Sequence, residues 1–270
     1  AWRRASVGSD VNIYNNSDAP VPTNDKFGGN YHDPLTTSRA RTQGWLLSDT
    51  LGFFDDQLLF TGAARYQKVW VRNYSNVTGA ETTTARYTAD RWMPTYGVVY
   101  KPWKSVSFYA NHTEALQPGS VAPKGAANQY EITGIAHSKQ NEVGVKTDFG
   151  RVGGTLSLFE IKKPTAITNS DTNIYALDGE QRNRGIELNV FGEPVLGLRL
   201  NGSATWIDAE LTQTQNGLNK GNPPVGVSNF YDALGAEYDI KPVDGLKATA
   251  RVNHSGSQYS TRPNTVQPGS

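Results

Sequence analysis

Cysteine is missing from the 270-residue sequence, which excludes disulfide scaffolds, cysteine-ligated zinc and thiol nucleophiles together. An excess of charge is missing too, because 26 Lys and Arg residues are matched by 25 Asp and Glu residues. This balance predicts no binding of nucleic acid, whose phosphates require a basic surface. No apolar run reaches the ~18 residues of a membrane-spanning helix. The opening stretch AWRRASVGSD has no apolar core, so we expect no signal peptide there.

The motifs of common catalytic and metal sites are lacking as well. The four histidines form no HExxH pattern and no paired-ligand spacing, and no GxSxG turn is present to expose a serine nucleophile. The glycine-rich stretch 150–154 reads as a turn between strands, because a phosphate-binding loop needs a helix after it. The sequence therefore predicts that the protein is not an enzyme and needs no cofactor. The histidines are His32, His112, His137 and His254.

Alternation of apolar and polar residues, the pattern of a strand with two different faces, is what the sequence does contain. In the stretch 196–206, LGLRLNGSATW, apolar residues recur at nearly every second position. The stretches 186–190 and 246–252 alternate in the same way. Helical periodicity is nearly absent, so the pattern predicts an all-β fold.

Connectors between these stretches alternate between short and long, which predicts an antiparallel up-and-down meander. In transmembrane barrels the short turns face the periplasm and the long loops face the outside. The predicted short connectors are 54–57, 102–104, 150–153, 192–195 and 241–244, and the long ones are 11–40, 73–90, 115–138, 164–181 and 208–228. The eleven or so predicted strands lie near 3–10, 41–53, 58–72, 92–101, 105–114, 139–149, 154–163, 182–191, 196–207, 229–240 and 245–257.

The polar faces of the predicted strands carry full charges, which the dry core of a soluble sandwich would not accept. We therefore expect the apolar side chains to face lipid and the charged ones to face a wet or plugged lumen. Aromatic residues near strand ends are expected to form girdles at the membrane interfaces. The charged residues are Arg65, Glu142, Lys146, Glu187, Arg199, Lys247 and Arg251. The aromatic residues are Tyr100, Trp103, Phe149, Phe191, Trp206 and Tyr238.

A soluble all-β protein, either a sandwich or a propeller, is the alternative interpretation of the alternation. The turns of a sandwich do not sort into strictly short and long sets. A propeller would show a blade repeat of about 40–50 residues, and the sequence contains no motif at that period. The pattern favours a transmembrane barrel and leaves the soluble fold as an alternative.

Several stretches resemble, in order along the chain, the C-terminal half of the TonB-dependent siderophore receptors. YGVVYKPWKSVSFYANHTEALQPGSVAP at 96–123 resembles a strand–turn–strand–loop unit of that family. KQNEVGVKTDFG at 139–150, followed by GTLSLFEIKKP at 154–164, is similar to its next hairpin. DGEQRNRGIELNVFGEPVLGLRLNGSATWIDAELT at 178–212 carries the most recognisable resemblance. The resemblance covers residues 41–260 and looks closest to the branch for ferric hydroxamates of the ferrichrome or coprogen type.

This resemblance implies a 22-stranded transmembrane β-barrel in the bacterial outer membrane, closed around a globular N-terminal plug. Residues 1–270 would then be a partial barrel domain, with the plug domain and the final strands absent. The implied function is TonB-dependent uptake of a ferric siderophore, of hydroxamate type. The implied partners are that ligand, the TonB complex through the absent plug, and outer-membrane lipid. A passive porin or a structural outer-membrane barrel is the alternative function.

A ferric siderophore has its iron already chelated, so its receptor supplies hydrogen-bond donors, cations and aromatic surfaces rather than metal ligands. We expect such residues in the extracellular loops and at the upper, lumen-facing ends of strands. The candidate ligand-binding residues are Arg72, Tyr74, Tyr87, Trp92, Tyr130, Tyr175 and Tyr231.

Overall fold

The computed structural model describes residue 36 and residues 38–75, 78–243 and 245–260. These residues form one ten-stranded antiparallel sheet in which every strand pairs with its neighbours in chain order. No helix in the described ranges is long and apolar enough to cross a membrane. The strands are β1 (Ser38–Phe53), β2 (Leu58–Tyr74), β3 (Glu81–Trp103), β4 (Val106–Pro118), β5 (Ile135–Asp148), β6 (Val152–Thr168), β7 (Tyr175–Val195), β8 (Leu198–Gln213), β9 (Phe230–Asp239) and β10 (Lys247–Ser255).

The predicted meander is confirmed in its order and pairing. Ten of the predicted strands match β1 to β10 one for one, and the strand predicted near 3–10 lies outside the described residues. The pairing predicted for 182–191 with 196–207 is confirmed by β7 and β8. The β9–β10 hairpin likewise confirms the pairing predicted between the last two strands.

Several strands are longer than the sequence indicated. The loop predicted at 73–90 is wrong in extent, because β3 begins at Glu81 and leaves only residues 75–80 between strands. The loop predicted at 164–181 is wrong in the same way, because β6 and β7 leave only residues 169–174 between them. The sequence from Glu81 to Arg91 contains few apolar residues, and the segments added to β6 and β7 show no regular alternation, while the backbone pairing continues through all of them.

The cross-strand register sorts the side chains into two faces, since directly paired residues lie on the same side of a sheet. Ile186 pairs with Leu158 and Trp206, whereas Glu187 pairs with Ser157 and belongs to the opposite face. Ile186 is 43% exposed, while Ser157 is only 5% exposed. Side chains spread apart on the outside of a curved sheet and converge on the inside. The apolar face is therefore convex and the polar face concave.

The predicted facing of the side chains is confirmed by this register, and the described residues contain no second sheet that covers the convex face. A slip of one residue would place charges against lipid, at ~2–4 kcal/mol for a Lys or Arg near mid-membrane. The convex face carries Ile186, Leu188, Leu198, Leu200, Ala248 and Ala250. The concave face carries Arg65, Glu142, Lys146, Glu187, Arg199, Lys247 and Arg251.

Aromatic residues border the apolar band at two heights. On β3, Tyr100 and Trp92 both lie in the convex face, at opposite ends of the band. Their separation in sequence corresponds to ~27 Å of extended strand, which at a tilt of ~35–45° covers ~20 Å of an apolar band about 25 Å tall. Phe191 departs from the predicted girdle, because it pairs with Gly153 on the concave face.

Candidate functional site at the loop rim

The long connections at one edge of the sheet are joined to one another by hydrogen bonds. Ser170 Oγ lies 2.5 Å from Asn216 Oδ1, which links the β6–β7 connection to the β8–β9 connection. The Gly226 N–H donates to the Tyr259 carbonyl at 3.0 Å, which ties the β8–β9 connection to the residues after β10. These contacts make a continuous rim, which we define as residues 119–134, 169–174, 214–229 and 256–260.

The β4–β5 connection packs against the start of β7. This connection and 214–229 are the two longest of the rim. Asn128 Oδ1 accepts the Tyr175 N–H, and Asn128 Nδ2 donates to the Tyr175 carbonyl, both at 2.9 Å. The Ala127 N–H donates to the Asn173 carbonyl at 2.8 Å. Asn173 Nδ2 in turn donates to the Gly125 carbonyl at 2.7 Å. These bonds hold two connections that are far apart in sequence as one unit.

Tyr130 lies in the same connection and presents its side chain outward. Its φ of 68° is uncommon for a residue with a side chain, and its N–H donates to the Ala122 carbonyl at 2.9 Å. Ala122 and Ala126 are buried beside this turn. Tyr130 as a whole residue is 49% exposed. The backbone is thus fixed by hydrogen bonds while the aromatic ring stays accessible.

Two of the predicted ligand residues lie on the concave face of upper strand segments, as expected. Tyr87 of β3 pairs with the buried Val71, and its phenol, protonated at neutral pH, can donate a hydrogen bond. Tyr231 of β9 pairs with Thr205. Its hydroxyl accepts the N–H of Ser228 at 3.1 Å.

Three other candidates lie on the convex face and not on the lumen-facing side expected for them. Trp92 pairs with Tyr66, and their ring centroids are 5.3 Å apart. Arg72 pairs with Arg39, and the Arg39 guanidinium lies 5.8 Å from the ring centroid of Tyr74. Positions above the apolar band on this face suit contact with lipid headgroups or solvent better than contact with a ligand in the lumen.

The structure does not gather the seven candidates into one cluster. Tyr130 lies in the β4–β5 connection that Asn128 joins to β7, and Asn128 binds the backbone of Tyr175 rather than its ring. Tyr87 and Tyr231 lie on strands that are not neighbours in the sheet. Asn128 and Asn173, which join the connections, were not among the predicted residues. No group of three or more His, Cys, Asp or Glu side chains in the described part of the chain could hold a metal ion.

The concave wall below the rim is polar and internally paired. The Tyr109 hydroxyl donates to Glu142 at 2.5 Å, and Lys146 Nζ lies 4.9 Å from the centroid of the Tyr109 ring. Gly144 lies opposite Tyr109, where an added Cβ would come within 2.7 Å of the ring. A wall with charged groups already bonded to each other can face water or the polar surface of another domain.

An exposed apolar convex face, a charged concave face and one antiparallel meander together define part of the wall of a transmembrane β-barrel. The family described as TonB dependent receptor-like, beta-barrel matches residues 2–270. The chain belongs to that family, whose members are β-barrels of the outer membrane.

Individual relatives are transport receptors rather than enzymes. The chain is 47% identical over 272 residues to the ferrichrome receptor FcuA of Yersinia enterocolitica, covering 99% of the chain and 35% of that receptor. It is 30% identical over 183 residues to the metal-pseudopaline receptor CntO of Pseudomonas aeruginosa, covering 65% of the chain and 25% of that receptor. The chain thus spans about a third or less of the length of these relatives.

Among solved structures, the chain is similar to BauA, the ferric preacinetobactin receptor of Acinetobacter baumannii. The TM-score is 0.71 at 35% identity, and the match covers 85% of the chain and 34% of that receptor. The siderophore receptor PiuA of the same organism gives a TM-score of 0.68 at 20% identity, covering 85% of the chain and 35% of that receptor. This second likeness supports the fold alone.

Proposed function

We propose that the intact protein containing this chain is an outer-membrane receptor that imports a ferric siderophore with energy supplied through TonB. The observation that carries the proposal is the 47% identity to a ferrichrome receptor along 99% of the chain. Because that relative is a ferrichrome receptor, we propose a ferric hydroxamate as the ligand class. The protein's own contribution is binding and passage, since the siderophore arrives with its iron chelated.

We place the ligand contacts at the rim and on the upper concave face. Tyr130 offers an exposed ring at the rim, and Tyr87 and Tyr231 offer phenols on the concave face. Aromatic rings with a hydroxyl provide both apolar contact and a hydrogen bond to a compact polar complex. Arg72, Tyr74 and Trp92 are left out of this site because they lie on the convex face. Tyr175 is left out because it pairs with Thr168, which lies an even number of positions from Leu158 along β6 and so on the same convex face.

We further propose that a plug domain and additional strands complete the receptor. The relatives are about three times as long as this chain. In addition, β1 and β10 are edge strands of the described sheet, and open edges leave backbone donors and acceptors without partners in hydrocarbon. TonB would act on the plug, and outer-membrane lipid would cover the convex face.

The ligand proposal is tested by titrating the purified intact receptor with ferric ferrichrome, ferric coprogen and a ferric catecholate. Intrinsic tyrosine and tryptophan fluorescence reports binding. We expect saturable quenching with at least one of the hydroxamates and none with the catecholate. Saturable binding of the catecholate alone would overturn the ligand class but not the receptor function. The absence of saturable binding by all three would favour a passive barrel.

A further inference from the structure

Asn128 joins two connections of the rim through both polar atoms of its side chain. Its Oδ1 accepts the Tyr175 N–H and its Nδ2 donates to the Tyr175 carbonyl, each at 2.9 Å. The amide thus pairs with both backbone groups of one residue, as a neighbouring strand would. Aspartate offers no donor for the carbonyl, and glutamine is one methylene too long. The position therefore requires asparagine.

The junction is reinforced from the other side by Asn173. Its carbonyl accepts the Ala127 N–H at 2.8 Å, and its Nδ2 donates to the Gly125 carbonyl at 2.7 Å. Its φ of 54° is a left-handed conformation that asparagine tolerates better than most residues. Asn128 thus bonds from the β4–β5 connection to β7, and Asn173 bonds from the β6–β7 connection back to the β4–β5 connection. We call this pair of contacts the clasp, and it makes the two connections move together.

Tyr130 follows Asn128 closely in the chain and lies in the same clasped turn. Its N–H is held by the Ala122 carbonyl at 2.9 Å, while its ring is exposed. A binding group that is fixed before the ligand arrives loses less conformational freedom on binding, which strengthens affinity. The clasp therefore fixes where on the rim the Tyr130 ring is presented.

We propose that Asn128 is a positioning residue of the siderophore site, which acts by clasping the β4–β5 connection to β7 and so holding Tyr130 in place. The inference rests on the proposed function for the identity of the ligand. The clasp itself rests only on the hydrogen bonds of the rim.

The proposal is tested by a double-mutant cycle in the intact receptor, titrated with ferric ferrichrome. Loss of two neutral hydrogen bonds in Asn128→Ala should weaken binding about tenfold. In a Tyr130→Ala background the same substitution should cause little further loss, because a residue that acts through Tyr130 is not additive with it. An equal loss in both backgrounds, or no loss in the parent, would overturn the proposal.

Gln129→Ala is the matched control. Gln129 Oε1 accepts the Gly125 N–H at 3.3 Å within the same connection and makes no bond to β7. We expect the affinity of Gln129→Ala to equal that of the parent. A loss as large as that of Asn128→Ala would show that any change in the connection weakens binding, and would overturn a specific role for the clasp.

A second measurement examines the clasp without ligand. The chain contains no cysteine, so spin labels can be attached at Lys124→Cys and Asp171→Cys in an intact receptor free of other accessible cysteines. We expect a narrow distance distribution that broadens in Asn128→Ala but not in Gln129→Ala. An unchanged distribution in Asn128→Ala would overturn the proposal. Failure of the parent to bind any ferric siderophore would instead refute the proposed function. The spin-label distances would still test whether Asn128 holds the two connections together.

Discussion

Trp92 and Tyr66 face each other across β2 and β3 on the convex face, with ring centroids 5.3 Å apart. Tyr87, on the same strand as Trp92, lies on the opposite face and pairs with Val71. Two aromatic residues of one strand therefore lie in different environments. Trp92 borders the apolar band at the membrane interface, while Tyr87 faces the lumen side of the wall.

This difference predicts that the two aromatic residues have separable effects on ligand binding. Tyr87→Ala in the intact receptor should weaken binding of ferric ferrichrome by about tenfold, because one aromatic contact and one hydrogen bond are lost. Trp92→Ala should leave the affinity within about twofold, since its ring faces outward. Fluorescence titration of both variants measures the two affinities. A larger loss in Trp92→Ala than in Tyr87→Ala would contradict the assignment of faces.

A charge on the convex face should destabilise the barrel far more than the same charge on the concave face. Leu188→Arg places a guanidinium against lipid and should cost ~2–4 kcal/mol of unfolding free energy. Thr205→Arg is the matched control, because Thr205 pairs directly with Glu187 and the new guanidinium gains a carboxylate partner. Denaturant unfolding of the intact receptor in lipid vesicles measures both. Equal costs would mean that the convex face does not meet lipid.

Because Tyr109 lies close to Gly144, a methyl group added at Gly144 should destabilise the protein more than a methyl group added at a glycine with open space around it. In Gly144→Ala the new Cβ would lie 2.7 Å from the Tyr109 ring and from the Leu156 carbonyl. Overpacking of this kind should cost ~1–3 kcal/mol and displace the hydroxyl of Tyr109 from Glu142. Gly62→Ala is the control, because an added Cβ there meets nothing within 4 Å. Unfolding free energies that do not differ between the two variants would refute this packing account.

Much of the sheet could be predicted from the sequence because the membrane imposes different solvents on its two faces. Between the aromatic borders, one face is apolar and the other charged, so residues such as Leu188 and Glu187 alternate plainly. Above the band the convex face no longer meets lipid, and the alternation fades although the ladder continues. For this reason the sequence predicts a loop where β3 begins at Glu81.

The candidate site could be predicted only in composition, not in arrangement. Whether a residue such as Arg72 faces inward depends on the register, and the register shifts between Val71 and Asn73. A similar shift lies between Thr165 and Ile167, just before the turn that leads to Tyr175. The contact of Asn128 with Tyr175 joins residues far apart in the chain, so no local sequence pattern predicts it.

Uptake of radioactive iron supplied as ferrichrome, by a strain that lacks its own hydroxamate receptors, tests the central claim most directly. Cells that express the intact receptor should accumulate iron, and collapse of the proton-motive force or loss of TonB should stop the accumulation. Cells that express residues 1–270 alone should accumulate none, because an open sheet cannot satisfy its edges in hydrocarbon. Uptake that persists without TonB, or no uptake of any ferric siderophore by the intact receptor, would contradict the account.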